Sequence, residues 1–244
     1  MRKTRRRRKL KYLAPLLVLV AVAAVGFYFL DWAERLEASP ATRAAPTPAL
    51  ATQAERTAAL PALNLPADDA AHGSGMEWWY YSGILDAQAG DARYAFHVAV
   101  FVANSLVKHT VMHVALTDLK TGRRYSQQSR TGGVPAKSSQ AGFDFQQEGW
   151  RVAGAGASHS IQAKFEGVEL ALQLQDNQPV VAHRAAGSQT PGLLDFGESG
   201  ISYYYSRPRM AAQGSLHIGN KGAQQVAGPV WFDHQWGEFD VTRL

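Results

Sequence analysis

Between residues 168 and 174 the chain alternates between large apolar side chains and small or polar ones, and this period of two constrains the fold most strongly. The apolar set is Val168, Leu170, Leu172 and Leu174, and the intervening set is Glu169, Ala171 and Gln173. Successive side chains of a β-strand point to opposite faces, so the pattern predicts a strand with one buried face.

Eight further short runs are rich in β-branched or aromatic residues and are bounded by Gly, Asn, Asp or Pro. These runs are Met76–Leu85, Tyr94–Ala103, His109–Leu116, Trp150–Ala153, Ser160–Phe165, Ile201–Tyr205, Ser215–Ile218 and Val230–Trp236. No long helical period follows residue 30. Consecutive strands with short turns predict an all-β domain, either an antiparallel barrel or a sandwich, and a barrel of this size can hold one small ligand.

The start of the chain predicts a membrane setting. Residues 1–11 carry eight Lys or Arg side chains and no acid, and the 19 residues of 12–30 are uncharged. Such a run can cross a bilayer and exceeds the ~7–15-residue apolar region of a cleaved signal. We therefore predict a cytoplasmic basic segment (1–11), a transmembrane signal-anchor (12–30), a disordered Ala/Pro-rich linker (31–71) and a folded domain (72–244).

Because basic flanks stay in the cytoplasm, this order predicts a single-pass inner-membrane protein with its folded domain in the periplasm. A cleaved signal, using Ala21-Val22-Ala23, is the alternative.

The net charge of +5 belongs to the leader and does not indicate nucleic-acid binding. Without the eight leader cations, 17 basic residues face 20 acidic ones. The high isoelectric point is thus a targeting feature, and nucleic acid is excluded as a partner. The chain has no cysteine, so it has no disulfide and no thiolate metal site.

Near the end of the chain an acid and an imidazole lie side by side between two tryptophans, in GPVWFDHQWG (228–237). In a strand, one face of this segment would carry Trp231, Asp233 and Gln235. The opposite face would carry Phe232, His234 and Trp236. Desolvation beside an indole would keep the Asp233 carboxyl neutral, the state that can donate a proton. The alternative is a buried aspartate that backbone donors satisfy.

Other aromatic residues are candidates for contact with a lipophilic ligand. Trp78 and Tyr80 share one face of the first strand, and Tyr203 and Tyr205 share a face of a later one. Such rings offer flat apolar walls with a polar rim, as does Trp231. Packing of a β-core is the alternative for each.

Three segments together resemble a known family. EWWYYSG (77–83), SYYYSRPR (202–209) and GPVWFDHQWG (228–237) are similar to motifs of the AttH and carotenoid 1,2-hydratase (hydroxyneurosporene synthase) family, and occur in the same order. The resemblance implies a lipocalin-like fold, a periplasmic setting and members labelled secreted hydrolases. It also implies an ABC-type exporter as a candidate partner. Family members usually continue into a second lipocalin-like domain, so the resemblance leads us to expect either a truncated member or a single-domain variant.

Hydration of an isolated alkene, the activity that the resemblance implies, requires a proton donor, a cation stabiliser and a placed water. Asp233 is the predicted acid. The ring faces of Trp231, Trp78 and Tyr203 or Tyr205 could each stabilise a cation by ~1–2 kcal/mol. Supporting roles fall to His234, Trp236, Glu77 and Arg207, with Glu77 expected to pair with Arg207 or Arg209.

Hydrolase and metal chemistry have little support in the sequence. There is no G-x-S-x-G and no H-E-x-x-H, and His109 and His113 would lie more than ~10 Å apart along a strand. We therefore expect no cofactor and no metal. The predicted function is binding or acid-catalysed hydration of a lipophilic, isoprenoid-like molecule. The alternatives are a non-catalytic lipophile carrier linked to an ABC-type exporter, and an inactive fragment.

Overall fold

The computed structural model describes residues 53–57, 60–104, 107–133, 142–147, 149–185 and 190–240. The predicted basic segment, the predicted anchor and most of the predicted linker lie outside these residues. Within the described part, no helix has the length and apolar character needed to cross a membrane.

Twelve strands dominate the described residues, with one short α-helix before them, α1 (Gln53–Thr57). The strands are β1 (Met76–Ala87), β2 (Arg93–Asn104), β3 (Lys108–Asp118), β4 (Arg124–Gly132), β5 (Phe143–Gln147), β6 (Trp150–Ala155), β7 (Ser158–Phe165), β8 (Val168–Gln175), β9 (Val181–Ala182), β10 (Leu193–Asp195), β11 (Gly200–Ile218) and β12 (Gln224–Phe239). Two single 3-10 turns lie at Ala67–Asp69 and Gly197–Ser199.

The strands form one antiparallel sheet in the order β4-β3-β2-β1-β12-β11-β8-β7-β6-β5, and β9 and β10 pair with β11. The sheet curls into a nearly closed barrel. Of the two predicted architectures, the all-β barrel is therefore confirmed. Its centre is the group of long strands β1, β12 and β11, which carry the three sequence motifs.

Sequence patterning placed most strands correctly but misjudged β11. The two predicted strands Ile201–Tyr205 and Ser215–Ile218 are parts of one strand of 19 residues. The register shifts between Arg207 and Met210, around Pro208. Proline cannot donate to a ladder and is tolerated in a sheet at such bulges, so it does not end the strand here.

Four strands were not predicted: β4, β5, β9 and β10. β4 is mostly exposed or half-buried along its length, so its residues lack the apolar alternation on which the prediction depended. β9 and β10 have two and three residues, too few for a period.

Residues 60–75 pack against the barrel, although the sequence placed most of them in a linker. Asp69 is fully buried, the Tyr203 hydroxyl donates to the Pro61 carbonyl at 2.7 Å, and Leu63 and Leu65 pack against the core. The folded unit thus begins before residue 72. We call residues 60–75 the entry segment.

Candidate functional site

Three polar side chains meet inside one end of the barrel: Glu77 of β1, His234 of β12 and His72 of the entry segment. Glu77 Oε1 lies 2.9 Å from His234 Nε2 and 2.8 Å from His72 Nδ1. The second carboxylate oxygen accepts the His72 backbone N–H at 2.9 Å. Every contact that orients this carboxylate therefore comes from a histidine.

These groups differ sharply in exposure. The side chains of Glu77 and His234 are 1% and 0% exposed, whereas that of His72 is 23% exposed. Burial would raise the pKa of Glu77, but hydrogen bonds from His234 and then His72 outweigh it and hold the pKa below its usual value. Burial lowers the pKa of His234, against the pull of the Glu77 carboxylate. Near neutral pH the cluster therefore holds a carboxylate beside a neutral imidazole.

A row of polar groups continues from His234 into the barrel. His234 Nδ1 lies 3.3 Å from the Tyr205 hydroxyl, which donates a short hydrogen bond to Asp69 Oδ1. Asp69 also accepts the Gly156 backbone N–H at 2.6 Å. Arg207 Nη2 stands 3.5 Å from Asp69 Oδ1.

Arg207 binds acids other than the one predicted. Its Nη1 donates to Asp176 Oδ2 at 3.0 Å, and its second contact is Asp69. The expected pairing of Glu77 with Arg207 or Arg209 is therefore wrong. The two faces of a strand explain the error in part: Arg209 is exposed, and Glu77 points inward to the histidines.

Aromatic rings surround the His72 end of the cluster. Trp236 stacks on His72 with centroids 4.0 Å apart, and on Tyr203 at 5.2 Å. Trp79 stacks on His234 at 4.5 Å. The rings of His72 and Tyr203 are partly exposed at this end of the barrel, which we call the mouth.

A second polar pair lies deeper. The Tyr81 hydroxyl is 2.8 Å from His159 Nδ1, and burial lowers the pKa of His159 to about 3. His159 Nε2 and Arg207 Nε are both buried without a hydrogen-bond partner among the described residues. Sequence reasoning did not select Tyr81 or His159 as site residues; the rings that it selected in β1, Trp78 and Tyr80, lie on the opposite face from Tyr81.

The predicted ligand-contacting residues divide between the two faces of the sheet. Tyr205 is buried inside the barrel, and Tyr203 lies at the mouth. Trp78 and Tyr80 lie outside, against Phe101 and His97 respectively, and Trp231 is 40% exposed. They do not line one cavity.

Large side chains fill the interior among the described residues. Trp79, Tyr81, Tyr205, Phe145 and Phe232 are each fully buried there. A surface groove of about 800 Å³ lies elsewhere and is lined by Gln175, Arg209, Gln213 and Pro229 among others. None of the predicted site residues lines it, and its wall lacks the acid–base pairs of the mouth.

Asp233, the predicted acid, points to the outer face of β12. Its Oδ1 accepts a short hydrogen bond from Ser206, whose Oγ lies 2.6 Å from His183 Nε2. The predicted division of β12 into two faces is confirmed, and it separates Asp233 from Tyr205, which is buried inside the barrel. Trp78 lies on the same outer face of the sheet as Asp233.

This outer cluster resembles a hydrolase triad in composition only. Ser206 lies between Asp233 and His183, whereas a triad needs the imidazole between the hydroxyl and the acid. Ser206 is also fully buried. Burial, and then the Asp233 carboxylate, raise the pKa of neighbouring Tyr204, whose ring stacks on His183 at 4.1 Å.

Comparison with known proteins agrees with this fold. The family model for AttH-like proteins matches residues 56–243. No curated protein matches the chain. A provisionally assigned AttH from Nitrosomonas europaea is 22% identical, with a TM-score of 0.63 over 75% of this chain and 58% of that one.

Kievitone hydratase from Nectria haematococca is 16% identical, with a TM-score of 0.58 over 74% of this chain and 53% of that one. Both likenesses establish the fold, and this chain spans little more than half of either protein. The family match covers most of the chain, including all three sequence motifs. The chain belongs to the AttH-like family.

Proposed function

We propose that this chain adds water to a carbon–carbon double bond of an apolar small molecule, with the Glu77–His72 pair moving the proton. One observation carries the proposal: a buried carboxylate is hydrogen-bonded to Nδ1 of an imidazole that is itself 23% exposed at the mouth. This is the orientation by which an acid sets the tautomer of a histidine base.

The pair accounts for each proton of a hydration. With Nδ1–H donated to Glu77, His72 Nε2 carries the lone pair and takes a proton from water while the water oxygen bonds to carbon. The imidazolium then returns that proton to the other carbon of the double bond. For an isolated alkene the order is reversed. The His72 imidazolium first gives its proton to one carbon, and the neutral imidazole then takes a proton from the water that bonds to the other carbon. Histidine exchanges protons in the range this requires.

The mouth also offers a surface for the substrate. Tyr203 and Trp236 are stacked rings, and Tyr203 is partly exposed. Flat rings bind an unsaturated apolar chain and stabilise a developing cation by ~1–2 kcal/mol. The hydratase among the similar structures supports the reaction class, whereas the identity of the substrate rests on the family resemblance.

The test is turnover by the full-length protein in detergent, with kievitone and an acyclic carotenoid as probes and mass spectrometry of the products. We expect the mass of one water to be added, with the oxygen coming from isotopically labelled solvent water. Glu77→Gln and His72→Gln should each lower turnover by about 10²–10⁴-fold, because general acid–base catalysis contributes that much.

Asp233→Asn is the matched comparison. The proposal expects it to keep most of its activity, since Asp233 is on the opposite face of the sheet. Loss of turnover in Asp233→Asn alone would favour the sequence-based hypothesis and overturn the role of the Glu77–His72 pair. Binding of both probes without turnover by any form would favour the carrier alternative, with an ABC-type exporter as the receiver.

The setting is also a proposal. The basic residues 1–11 and the uncharged residues 12–30 support a single-pass anchor that holds the barrel in the periplasm. In a Gram-negative host the full-length protein should fractionate with inner membrane and become accessible to protease once the outer membrane is opened. Recovery of a shortened, freely soluble form would show cleavage instead.

A further inference from the structure

We propose that His72, Glu77 and His234 bind a divalent transition-metal ion. Each side chain offers one ligand atom, and these three atoms lie within 4.8 Å of one another. Glu77 and His234 belong to adjacent strands, and β1 pairs with β12 without interruption from Met76 to Gly83. The backbone therefore holds two of the three ligands in place before any ion binds.

The contacts of His234 direct its Nε2 at the proposed ion position. Its Nδ1 lies 3.3 Å from the Tyr205 hydroxyl, which donates to Asp69 Oδ1. Its Nε2 faces Glu77 Oε1 at 2.9 Å, and both side chains are buried. A nitrogen and a carboxylate oxygen, the atom types that bind transition metals, therefore lie side by side.

A metal ion fits these contacts. The Nε2 lone pair would bind the ion, Nδ1–H would donate to Tyr205, and Tyr205 would donate to Asp69. Ligating histidines in proteins commonly donate their other ring nitrogen to such a partner. Asp68 Oδ1 is the acid nearest to the other ring nitrogen of His72, at 3.8 Å from Nε2, which is longer than a hydrogen bond.

Two imidazoles and one carboxylate are a ligand set for Zn²⁺, and three protein ligands leave a coordination position open. Bonds of about 2.0–2.1 Å place tetrahedral ligand atoms about 3.3 Å apart. The two contacts to Glu77 must therefore lengthen by about half an ångström. His72, in the entry segment and 23% exposed, is the ligand that can move, and it also gives access.

The proposal goes beyond the proposed hydration and does not depend on it. The same side chains would hold either protons or an ion, and metal binding is measured without a substrate. The probe is Zn²⁺, titrated by calorimetry into full-length protein that carries no polyhistidine tag. Co²⁺ is the spectroscopic probe, because its visible bands report coordination number.

We expect one Zn²⁺ per chain, with affinity falling as pH is lowered because protons compete for the ligands. His72→Ala and Glu77→Gln should each weaken binding at least about tenfold and abolish the visible Co²⁺ bands. His109→Ala is the control and should bind like the parent, because His109 lies two strands from β1 on the outer face of β3 and contacts the Val107 carbonyl oxygen. Far-UV circular dichroism checks that each variant is folded.

Two results would overturn the proposal. One is the lack of saturable Zn²⁺ binding by the parent protein. The other is equal affinity in the parent and in folded His72→Ala. Zinc binding without turnover of either hydration probe would leave the metal site standing and remove the proposed function, whereas turnover without zinc binding would do the reverse.

Discussion

At the scale of single residues, the strand face on which a side chain lies determines its bonding partners, whereas its neighbour in the sequence does not. Asp233 and His234 are adjacent in the chain, yet one bonds to Ser206 outside the barrel and the other to Glu77 inside it. At the mouth, two imidazoles contact the Glu77 carboxylate directly, so this carboxylate can take part in proton transfer. On the outer face the Asp233 carboxylate is linked to an imidazole, that of His183, through the buried Ser206 hydroxyl.

The deep histidine, His159, gives a prediction about pH. Its folded-state pKa of about 3 lies below the ordinary value of 6.5, so below about pH 6.5 the unfolded chain takes up a proton that the folded chain does not. Stability is therefore lost as pH falls through this window, by about 1.4 kcal/mol per unit for this residue. His159→Gln, which can still bond Tyr81, should remove that share.

Denaturant unfolding of the full-length protein at about pH 7 and about pH 5 measures the effect. The loss of unfolding free energy between the two should be about 2 kcal/mol smaller in His159→Gln than in the parent. His217→Gln, on the outer side of β11, controls for the substitution. An unchanged pH dependence in His159→Gln would mean that His159 is not held neutral.

At the scale of elements, the central strands approach one another where glycine removes a side chain. A Cβ on Gly228 of β12 would lie 1.9 Å from the Ile84 carbonyl oxygen of β1, and one on Gly214 of β11 would lie 1.9 Å from that of Ala171 in β8. Backbone cannot move aside as a flexible side chain can. These glycines therefore set the spacing of the sheet.

Gly228→Ala should accordingly lower the free energy of unfolding by about 1–3 kcal/mol or more, because β1 and β12 must separate. Gly222→Ala is the matched control, since a Cβ there meets no atom within 4 Å. Thermal unfolding of the two variants beside the parent measures the difference. Equal melting temperatures for both variants would contradict the close approach.

At the scale of the whole described unit, the entry segment completes the barrel. Asp69 lies inside it and binds Tyr205 and Arg207 of β11 and Gly156 of the turn between β6 and β7. Removing one partner of a buried ion pair leaves a charge without compensation and costs about 3–5 kcal/mol. Total stabilities of about 5–15 kcal/mol make that a large share.

A chain that begins at residue 73 should therefore be much less stable than one that begins at residue 51, or should not fold. A chain that begins at residue 60 is the control, because it loses the Arg56–Asp195 pair, which is 30% exposed on the arginine side, and keeps Asp69. Urea unfolding followed by tryptophan fluorescence compares the three. A stable chain from residue 73 would show that Asp69 is dispensable.

The alternation of side chains within single strands was sufficient to predict the fold class. The alternation in β8, and the division of β1 and β12 into two faces, follow from a period of two that each strand carries in its own residues. The polar edge strand β4 was not predicted because its residues lack an alternation of apolar and polar side chains. The two shortest strands, β9 and β10, are too short to show one. The bulge at Pro208 was not predicted because a proline normally argues against a strand.

The site needed the tertiary structure. The sequence placed Glu77 and His234 among its candidates and identified their family motifs, but gave Glu77 the wrong partner. His72 and Asp69 lay in or beside a segment that looked like a tether, and nothing in its composition shows that one of its acids is buried. Contacts between residues more than 130 positions apart join Glu77 to His234 and Asp69 to Tyr205. Side-chain period determines which face a residue takes, whereas only the closing of the sheet decides which groups meet on that face.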